Sequence, residues 1–210
     1  MDDKDQVLAY ANADFTSSNK LLIHEVSKND FSKLKSILDL GCGPADVPIG
    51  LTKKSIQLHI TAVDASEEML NIARKHIQLV NLNKQILLVH GAIPGLKQIF
   101  KDEEFDTIIS KDLLHHLPDP LIFWEEIKSL AGKGTIIYVM DLIRPEQESE
   151  AKKIVQSVSA NEAEILKEDF YNSLLAAFTV SEIKQQLKTV GLEFKVEQFG
   201  QRHFLARGEM

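Results

Sequence analysis

Cysteine is almost absent from this chain of 210 residues, in which Cys42 stands alone. A lone cysteine excludes an intrachain disulfide and a cysteine-rich metal cage. Long apolar runs are missing too: none approaches the roughly 20 residues of a membrane span, and the first residues are charged instead of forming an apolar leader. We therefore expect a cytoplasmic protein with no membrane partner and no bound metal.

Basic residues are also few. The 24 Lys and Arg stand against 31 Asp and Glu, which gives a formal net charge of -7 at pH 7. Binding to nucleic acid needs clustered basic side chains that displace counterions from phosphates. The charge balance therefore disfavours a nucleic-acid partner and favours a small molecule as the substrate.

The sequence contains neither internal repeats nor Gly/Ser-rich or Pro-rich linkers, so we predict a single domain over residues 1–210. Strand-like apolar runs alternate with helical ones, which is typical of βαβ units around a mainly parallel sheet. Seven strands are predicted at 36–40, 58–63, 86–89, 107–110, 135–140, 194–199 and 203–207. Four helices are predicted at 44–53, 66–80, 121–130 and 180–190.

Three further segments complete the predicted architecture. Residues 200–202 are too few for a helical crossover between the last two strands, so these strands form an antiparallel hairpin. Residues 1–33 form an amino-terminal helical cap, with a helix at 6–27, and residues 145–178 form a helical insertion or lid. The apolar spacing within 145–178 needs a partner surface, and two ordinary packed helices or a substrate lid both satisfy it.

A glycine-rich turn carries the strongest signal for chemistry. The apolar strand ending in Ile-Leu-Asp-Leu runs into Gly-Cys-Gly-Pro-Ala at 41–45, and glycines let a ligand approach the backbone closely. Asp39 can accept hydrogen bonds from a cationic amino group. Asp64 ends the next strand, about 20 residues after the turn, where an acid can bind two ribose hydroxyls. These residues predict an adenosine-type ligand, although Asp64 could instead cap the helix that begins near Ser66.

From Tyr10 almost to its carboxyl terminus the sequence resembles the class I S-adenosylmethionine-dependent methyltransferases. The resemblance lies in the segments LDLGCGPAD, AVDASEEML, FDTIISKDLLHHLPDP and GKGTIIYVMDLIRP. It implies an α/β fold with three layers: a Rossmann-like, seven-stranded, mostly parallel sheet with an antiparallel C-terminal hairpin strand and helices on both faces. It also implies S-adenosyl-L-methionine as cofactor, a small-molecule methyl acceptor and S-adenosylhomocysteine as product.

The resemblance also assigns cofactor-binding residues. They are Tyr10, Asp39, Gly41, Cys42, Gly43, Asp64, Ala65, Ser66, Met69, Gly91, Ala92, Ser110 and Lys111. Gly91 and Ala92 fall where the family contacts adenine, but the acid that is usual at the second of these positions is absent here. Backbone groups or a neighbouring side chain must then read the adenine ring.

Methyl transfer from a sulfonium requires proximity, alignment and, if the acceptor carries a proton, a base. His116, His115 and Lys111 are the candidate catalytic residues, since neutral imidazole titrates near physiological pH. Anchoring of the turn into the next helix is the alternative role for both histidines. Asp141 and Arg144 either line the acceptor pocket or pair with each other.

Further predictions concern the wall of the cleft and the class of protein. Phe15, Asn19, Tyr171 and His203 are expected in the same cleft as Tyr10, with ordinary packing as the alternative. An NAD(P)-dependent oxidoreductase also needs a glycine turn and an acid, although Asp46 stands where its third glycine belongs. A non-catalytic S-adenosylmethionine-binding protein is a third class, and a homodimer is kept open as the oligomeric state.

Overall fold

A computed structural model describes residues 7, 9–11, 13–32, 34–101, 103–160 and 162–210. The strands of these residues are β1 (Ser36–Leu40), β2 (His59–Asp64), β3 (Ile86–His90), β4 (Thr107–Lys111), β5 (Ile136–Leu142), β6 (Lys195–Phe199) and β7 (His203–Glu209). The named helices are α1 (Thr16–Val26), α2 (Asp46–Thr52), α3 (Glu67–Leu79), α4 (Leu96–Ile99), α5 (Pro120–Leu130), α6 (Glu148–Val158), α7 (Glu164–Ala176) and α8 (Val180–Val190).

The seven strands form one sheet in the order β3-β2-β1-β4-β5-β7-β6. Strands β1 to β5 run parallel, whereas β7 is antiparallel to both β5 and β6. The strand order reverses between β1 and β4, and in open parallel sheets a ligand crevice forms outside the carboxyl ends of the strands at such a point. The predicted fold is confirmed, including the antiparallel hairpin at the carboxyl end.

Two hydrophobic clusters cover the two faces of the sheet. On one face Trp124 and Phe204 are fully buried among residues of α5 and α8, and Trp124 Nε1 donates to Gln186 Oε1 at 2.9 Å. On the other face Leu22, Leu51 and Leu70 bring α1, α2 and α3 against the strands. Helices on both faces explain why the central strands are apolar almost throughout, because neither face meets water.

A third, smaller cluster lies at the carboxyl end of β5. Leu142, Ala151, Val155, Leu174 and Ala177 are buried there and hold α6 and α7 against the end of the strand. These helices lie within the segment 145–178 that the sequence singles out. Their apolar residues therefore have the partner surface that the helical spacing requires.

Local differences from the sequence-based prediction have clear backbone causes. Helix α2 begins at Asp46 instead of Pro44, because Ala45 adopts a left-handed φ of 68°. The predicted helix 6–27 is interrupted at 13–15, where the Asp14 carboxylate accepts the Thr16 amide at 2.9 Å and α1 begins; Gln6 lies outside the described residues. Helix α4 and a 3-10 turn at Leu114–His116 were not predicted.

Within the part of the chain that the structure describes, no helix combines the length and apolar character needed to cross a bilayer.

Candidate active site

The glycine-rich turn after β1 is tied to the end of β2. Gly41 and Gly43 have positive φ angles of 76° and 51°, and a Cβ at Gly41 would lie 3.1 Å from the Leu113 side chain. The amides of Gly41 and Cys42 both donate to the Val63 carbonyl at 2.9 Å. The close approach of Leu113 and the backbone angle explain why glycine is required at position 41.

Asp64 joins this turn to the start of α3. Its Oδ2 accepts the Gly43 amide at 2.8 Å, and its Oδ1 accepts the Ser66 amide at 2.9 Å. The helix cap itself is Ser66, whose hydroxyl accepts the Met69 amide at 3.3 Å. Because a carboxylate offers about four acceptor positions, Asp64 keeps acceptors for a ligand that lies on the turn.

Asp39 lies at the carboxyl end of β1 with a side chain that is 2% exposed. Its carboxyl group accepts no hydrogen bond from the residues that the structure describes. Burial, together with the charge of Asp64, raises the pKa of Asp39 to about 8, although Lys111 acts in the opposite direction. The group is therefore mostly protonated at neutral pH, and a cation brought beside it would favour its ionised form.

A small cavity of about 40 Å³ lies beside the turn. Its walls include Asp39, Gly41, Cys42, Gly43 and Lys111 from the predicted site. Tyr10, Phe15, Asn19, Pro44, Asp46 and Val47 complete them. The structure therefore brings together the residues predicted around the methionine part of the cofactor. Tyr10 and Phe15, from the amino-terminal segment, lie in the same wall.

The end of β4 carries an ion-pair cluster. Lys111 pairs with Asp112, and His203 Nε2 lies 3.4 Å from Asp112 Oδ1. Burial alone would raise the pKa of Asp112, but the charges of Lys111 and His203 outweigh burial and hold it well below its usual range. The amino group of Lys111 is thus engaged with an anion, which makes it a poor candidate for the catalytic base.

His115 and Asp141 form a buried pair. His115 Nδ1 lies 2.6 Å from Asp141 Oδ1, and because a carboxylate only accepts, the ring nitrogen donates. Asp141 also accepts the amides of Leu114 and Leu142, at 2.7 Å and 2.6 Å. Burial would lower the pKa of His115, but the charge and hydrogen bond of Asp141 outweigh burial and raise it above its ordinary value.

The pKa of the neighbouring His116 is shifted in the opposite direction. The His116 ring lies with its centroid 4.0 Å from that of His115. Loss of solvent around the ring and the charge of His115 lower the pKa of His116 to about 4. His116 is consequently neutral at physiological pH but a weak base, so His115 is the better candidate of the two.

A second cavity, of about 380 Å³, extends from His115 and His116 to the helices of the segment 145–178. Its floor includes Asp112, His115, His116 and His203, and α7 contributes Phe170. Tyr10 and Phe15 line both this cavity and the small one. The amino-terminal segment therefore forms a wall between the two spaces.

Several predicted residues lie outside both cavities. Asp64, Ala65, Ser66, Met69, Gly91, Ala92 and Ser110 line neither of them. At Gly91 a Cβ would lie 2.7 Å from the Leu96 side chain, so the glycine permits packing. The Ser110 hydroxyl donates to the Leu40 carbonyl at 2.9 Å and joins β4 to β1.

Other predictions on the cleft wall need correction. Asp141 does not pair with Arg144: the Arg144 guanidinium lies 2.5 Å from Glu182 Oε1 and outside the cavity wall. Tyr171 does not line the cleft either, since it packs with the small cluster of α6 and α7. Among the described residues, no group of three metal-ligating side chains is arranged to hold an ion.

Asp46, Asp112 and Arg202 are among the wall residues that sequence reasoning did not place in the site. Asp112 lies within the quoted segment FDTIISKDLLHHLPDP, directly after the last residue of β4, so its place at a strand end was a usable signal. Arg202 carries no comparable signal, because a basic residue in a short hairpin turn is common on protein surfaces.

A model of the family described as "Methyltransferase domain" matches residues 31–198. The match covers most of the chain, which therefore belongs to this methyltransferase family, as predicted. Membership also removes the alternative of an NAD(P)-dependent oxidoreductase.

Two individual relatives are also named as methyltransferases. The "Ubiquinone biosynthesis O-methyltransferase" of Coxiella burnetii is 33% identical over 116 residues, which cover 53% of this chain and 45% of that protein. The "Demethylmenaquinone methyltransferase" of Leptospira interrogans is 32% identical over 102 residues, with 45% and 41% covered. This chain thus matches less than half the length of either relative.

A solved structure shares the fold over nearly its whole length. The crystal structure of a SAM-dependent methyltransferase from Aquifex aeolicus superposes with a TM-score of 0.70 at 19% identity, covering 99% of this chain and 98% of that one.

Proposed function

We propose that this chain transfers the methyl group of S-adenosylmethionine to a hydroxyl group of a small aromatic or quinone-like molecule and releases S-adenosylhomocysteine. The observation that carries the reaction type is His115, which lies in the wall of a 380 Å³ cavity and is hydrogen-bonded to the buried Asp141 behind it. A cavity of this size suits a small organic ligand. The names of the two curated relatives support a quinone-like acceptor, and that of the "Ubiquinone biosynthesis O-methyltransferase" supports transfer to oxygen.

The turn after β1 fits the nucleoside cofactor. Asp64 retains acceptors for ribose hydroxyls beside the Gly43 amide, and Gly41 and Gly43 leave room for close approach. Asp39, buried and without a partner among the described residues, suits the cationic amino group of the methionine part. The cofactor supplies an electrophilic methyl group on a sulfonium.

Entry of the cofactor requires movement of the amino-terminal segment. The cavity beside the turn, at about 40 Å³, is smaller than a nucleoside, and Tyr10 and Phe15 form part of its wall. We therefore propose that Tyr10 and Phe15 swing outward to admit the cofactor and then close over it. In the closed position these two rings exclude water from the transfer path.

His115 moves the proton in this scheme. With Nδ1 donating to Asp141, Nε2 is the ring nitrogen that can accept the proton of the acceptor hydroxyl. As the oxygen–carbon bond forms and the sulfur–carbon bond breaks, the proton comes to Nε2. The carboxylate of Asp141 stabilises the imidazolium that results.

The test is methyl transfer to catechols and hydroquinones by the protein and its His115→Gln variant. Loss of a general base lowers kcat by about 100- to 10,000-fold, while affinity for S-adenosylmethionine stays unchanged. His59→Gln is the matched control, since His59 is exposed at the amino end of β2. Equal rates for His115→Gln and the unmodified protein contradict the role of His115. Tight S-adenosylmethionine binding without transfer to any acceptor supports the non-catalytic alternative.

A further inference from the structure

The wall of the large cavity contains a guanidinium, that of Arg202, which forms no ion pair with the described residues. Arg202 belongs to the turn between β6 and β7, where its carbonyl accepts the Ile143 amide at 2.8 Å. Its Cζ lies 5.5 Å from the centre of the Phe170 ring on α7. Its Nη1 is buried and has no hydrogen-bond partner, and within the described residues the guanidinium forms no ion pair.

The nearby carboxylate of Asp112 is already engaged. It pairs with Lys111 and lies beside His203, so its negative charge is shared with these groups and offsets the charge of Arg202 only in part. A guanidinium keeps its charge in proteins, and burying a cation without a partner costs free energy. The protein tolerates this cost at a position that faces the acceptor cavity, which points to a partner supplied by the ligand.

The position of Arg202 relative to the base also fits a single ligand. Asp141 pairs with Phe204 across β5 and β7, and Leu142 pairs with His203. Arg202 immediately precedes His203, the first residue of β7, so its backbone is displaced from the level of Asp141 by two residues, or roughly 7 Å. A substituted benzene ring spans a comparable distance between two of its substituents.

We propose that Arg202 binds a carboxylate of the methyl acceptor, so that the acceptor is a hydroxylated aromatic acid. The planar guanidinium forms two parallel hydrogen bonds with a carboxylate, and Phe170 supports one face of the guanidinium. The hydroxyl to be methylated then lies toward His115. This inference rests on the proposed methyltransferase function and narrows its substrate class.

The experiment compares a charged probe with its neutral partner. Binding of 3,4-dihydroxybenzoate and of its methyl ester is measured by calorimetry in the presence of S-adenosylhomocysteine. The unmodified protein binds the acid at least about tenfold more tightly than the ester, because charge-assisted hydrogen bonds form only with the acid. In Arg202→Gln the acid loses this advantage and the ester is unaffected.

Arg207→Gln is the control, because Arg207 lies further along β7 over the Tyr138 ring, with its Cζ 5.2 Å from the ring centre, and outside the cavity wall. It retains the full preference for the acid. Arg202→Lys keeps the charge but loses the paired hydrogen bonds, so it retains part of the preference.

Equal affinity for acid and ester, absence of acid binding, or a preference that survives Arg202→Gln each overturns the anion subsite. Failure of the proposed function is seen separately, as absence of S-adenosylmethionine binding in the same calorimeter. A protein that binds S-adenosylmethionine but shows no preference for the acid loses only the subsite.

Discussion

At the residue scale, the two carboxylates of the cofactor turn have different environments and therefore different expected roles. Asp64 already accepts two backbone amides, which keep it in place beside the turn. Asp39 accepts none from the described residues, and burial raises its pKa to about 8. One group is thus positioned for neutral hydroxyls, while the other becomes charged when a cation arrives.

Asp39 provides a proton-linked test of cofactor binding. At pH 7 its carboxyl group is mostly protonated in the unbound protein, and the ammonium of S-adenosylmethionine favours the carboxylate, so binding releases about one proton. Calorimetry in two buffers with different ionisation enthalpies measures this number. Asp39→Asn binds more weakly and releases none from this site, whereas binding by the unmodified protein without proton release is the contrary result.

Asp141 provides a pH test of the base. Its charge raises the pKa of His115, and a general base acts only when neutral, so the rate rises with pH as His115 loses its proton. Asp141→Asn removes the negative charge and lowers the pKa of His115. The rise in rate therefore moves to lower pH while the maximum rate falls.

The measurement is kcat between about pH 5 and pH 9. Asp141 also accepts the backbone amides of Leu114 and Leu142, so urea denaturation must first establish that the variant is folded at each pH. His59→Gln keeps the original profile. An unshifted profile for folded Asp141→Asn would mean that His115 is not the titrating base.

Sequence alone predicts a site at Asp39, Asp64 and the glycines, because a strand, a tight turn and an acid at the end of the next strand follow one another at short spacing. It does not pair Asp141 with His115, because the two residues meet only when β5 lies beside β4 and the 3-10 turn follows β4. Arg202 reaches the cavity by the same kind of tertiary contact. Pairings of this type depend on sheet order, which local patterns do not contain.

At the scale of elements, strands are predicted well and turns poorly. Each predicted strand matches an observed one within a residue or two, and for the central strands burial on both faces makes the apolar runs distinct. The start of α2 is missed because Ala45 adopts a conformation that usually marks glycine. Helix α4 is too short for its apolar spacing to be read.

We propose that helices α6 and α7 act as a substrate lid, which is one of the two roles that the sequence allows for residues 145–178, and Leu174 provides a test. Leu174 is fully buried in their small cluster, and replacing a buried leucine by alanine costs about 2 to 5 kcal/mol. Since this cluster is separate from the two that cover the sheet, we expect the substitution to make local opening of α6 and α7 easier and to affect global unfolding less. Leu174→Ala then exchanges the amide hydrogens of α6 and α7 faster and has a higher KM for the acceptor.

Leu187→Ala is the matched control, because Leu187 is a buried leucine of the cluster that includes α5 and α8. It lowers the free energy of global unfolding without selective exchange in α6 and α7. If Leu174→Ala weakens S-adenosylmethionine binding as much as it raises the acceptor KM, these helices are part of the general core and do not act as a lid.

At the scale of the whole molecule, sheet order explains why the site lies where it does. The carboxyl ends of β1, β2 and β4 bring Asp39, Asp64 and Lys111 to one edge, and the antiparallel β7 adds His203 there. Tyr10, Phe15 and α7 line the large cavity at this edge. In the proposed function the cofactor binds at the turn after β1 and the acceptor binds in this cavity.

The position of S-adenosylmethionine on the turn after β1 is the central claim, and calorimetry on two matched variants tests it most directly. Asp64 and Asp106 each accept two backbone amides, but Asp106 bonds Lys35 and Ser36 at the opposite end of the sheet. Asp64→Ala should weaken binding of S-adenosylmethionine by about 1.5 to 3 kcal/mol, and Asp106→Ala should leave it unchanged. Unchanged affinity in a folded Asp64→Ala variant would contradict the account.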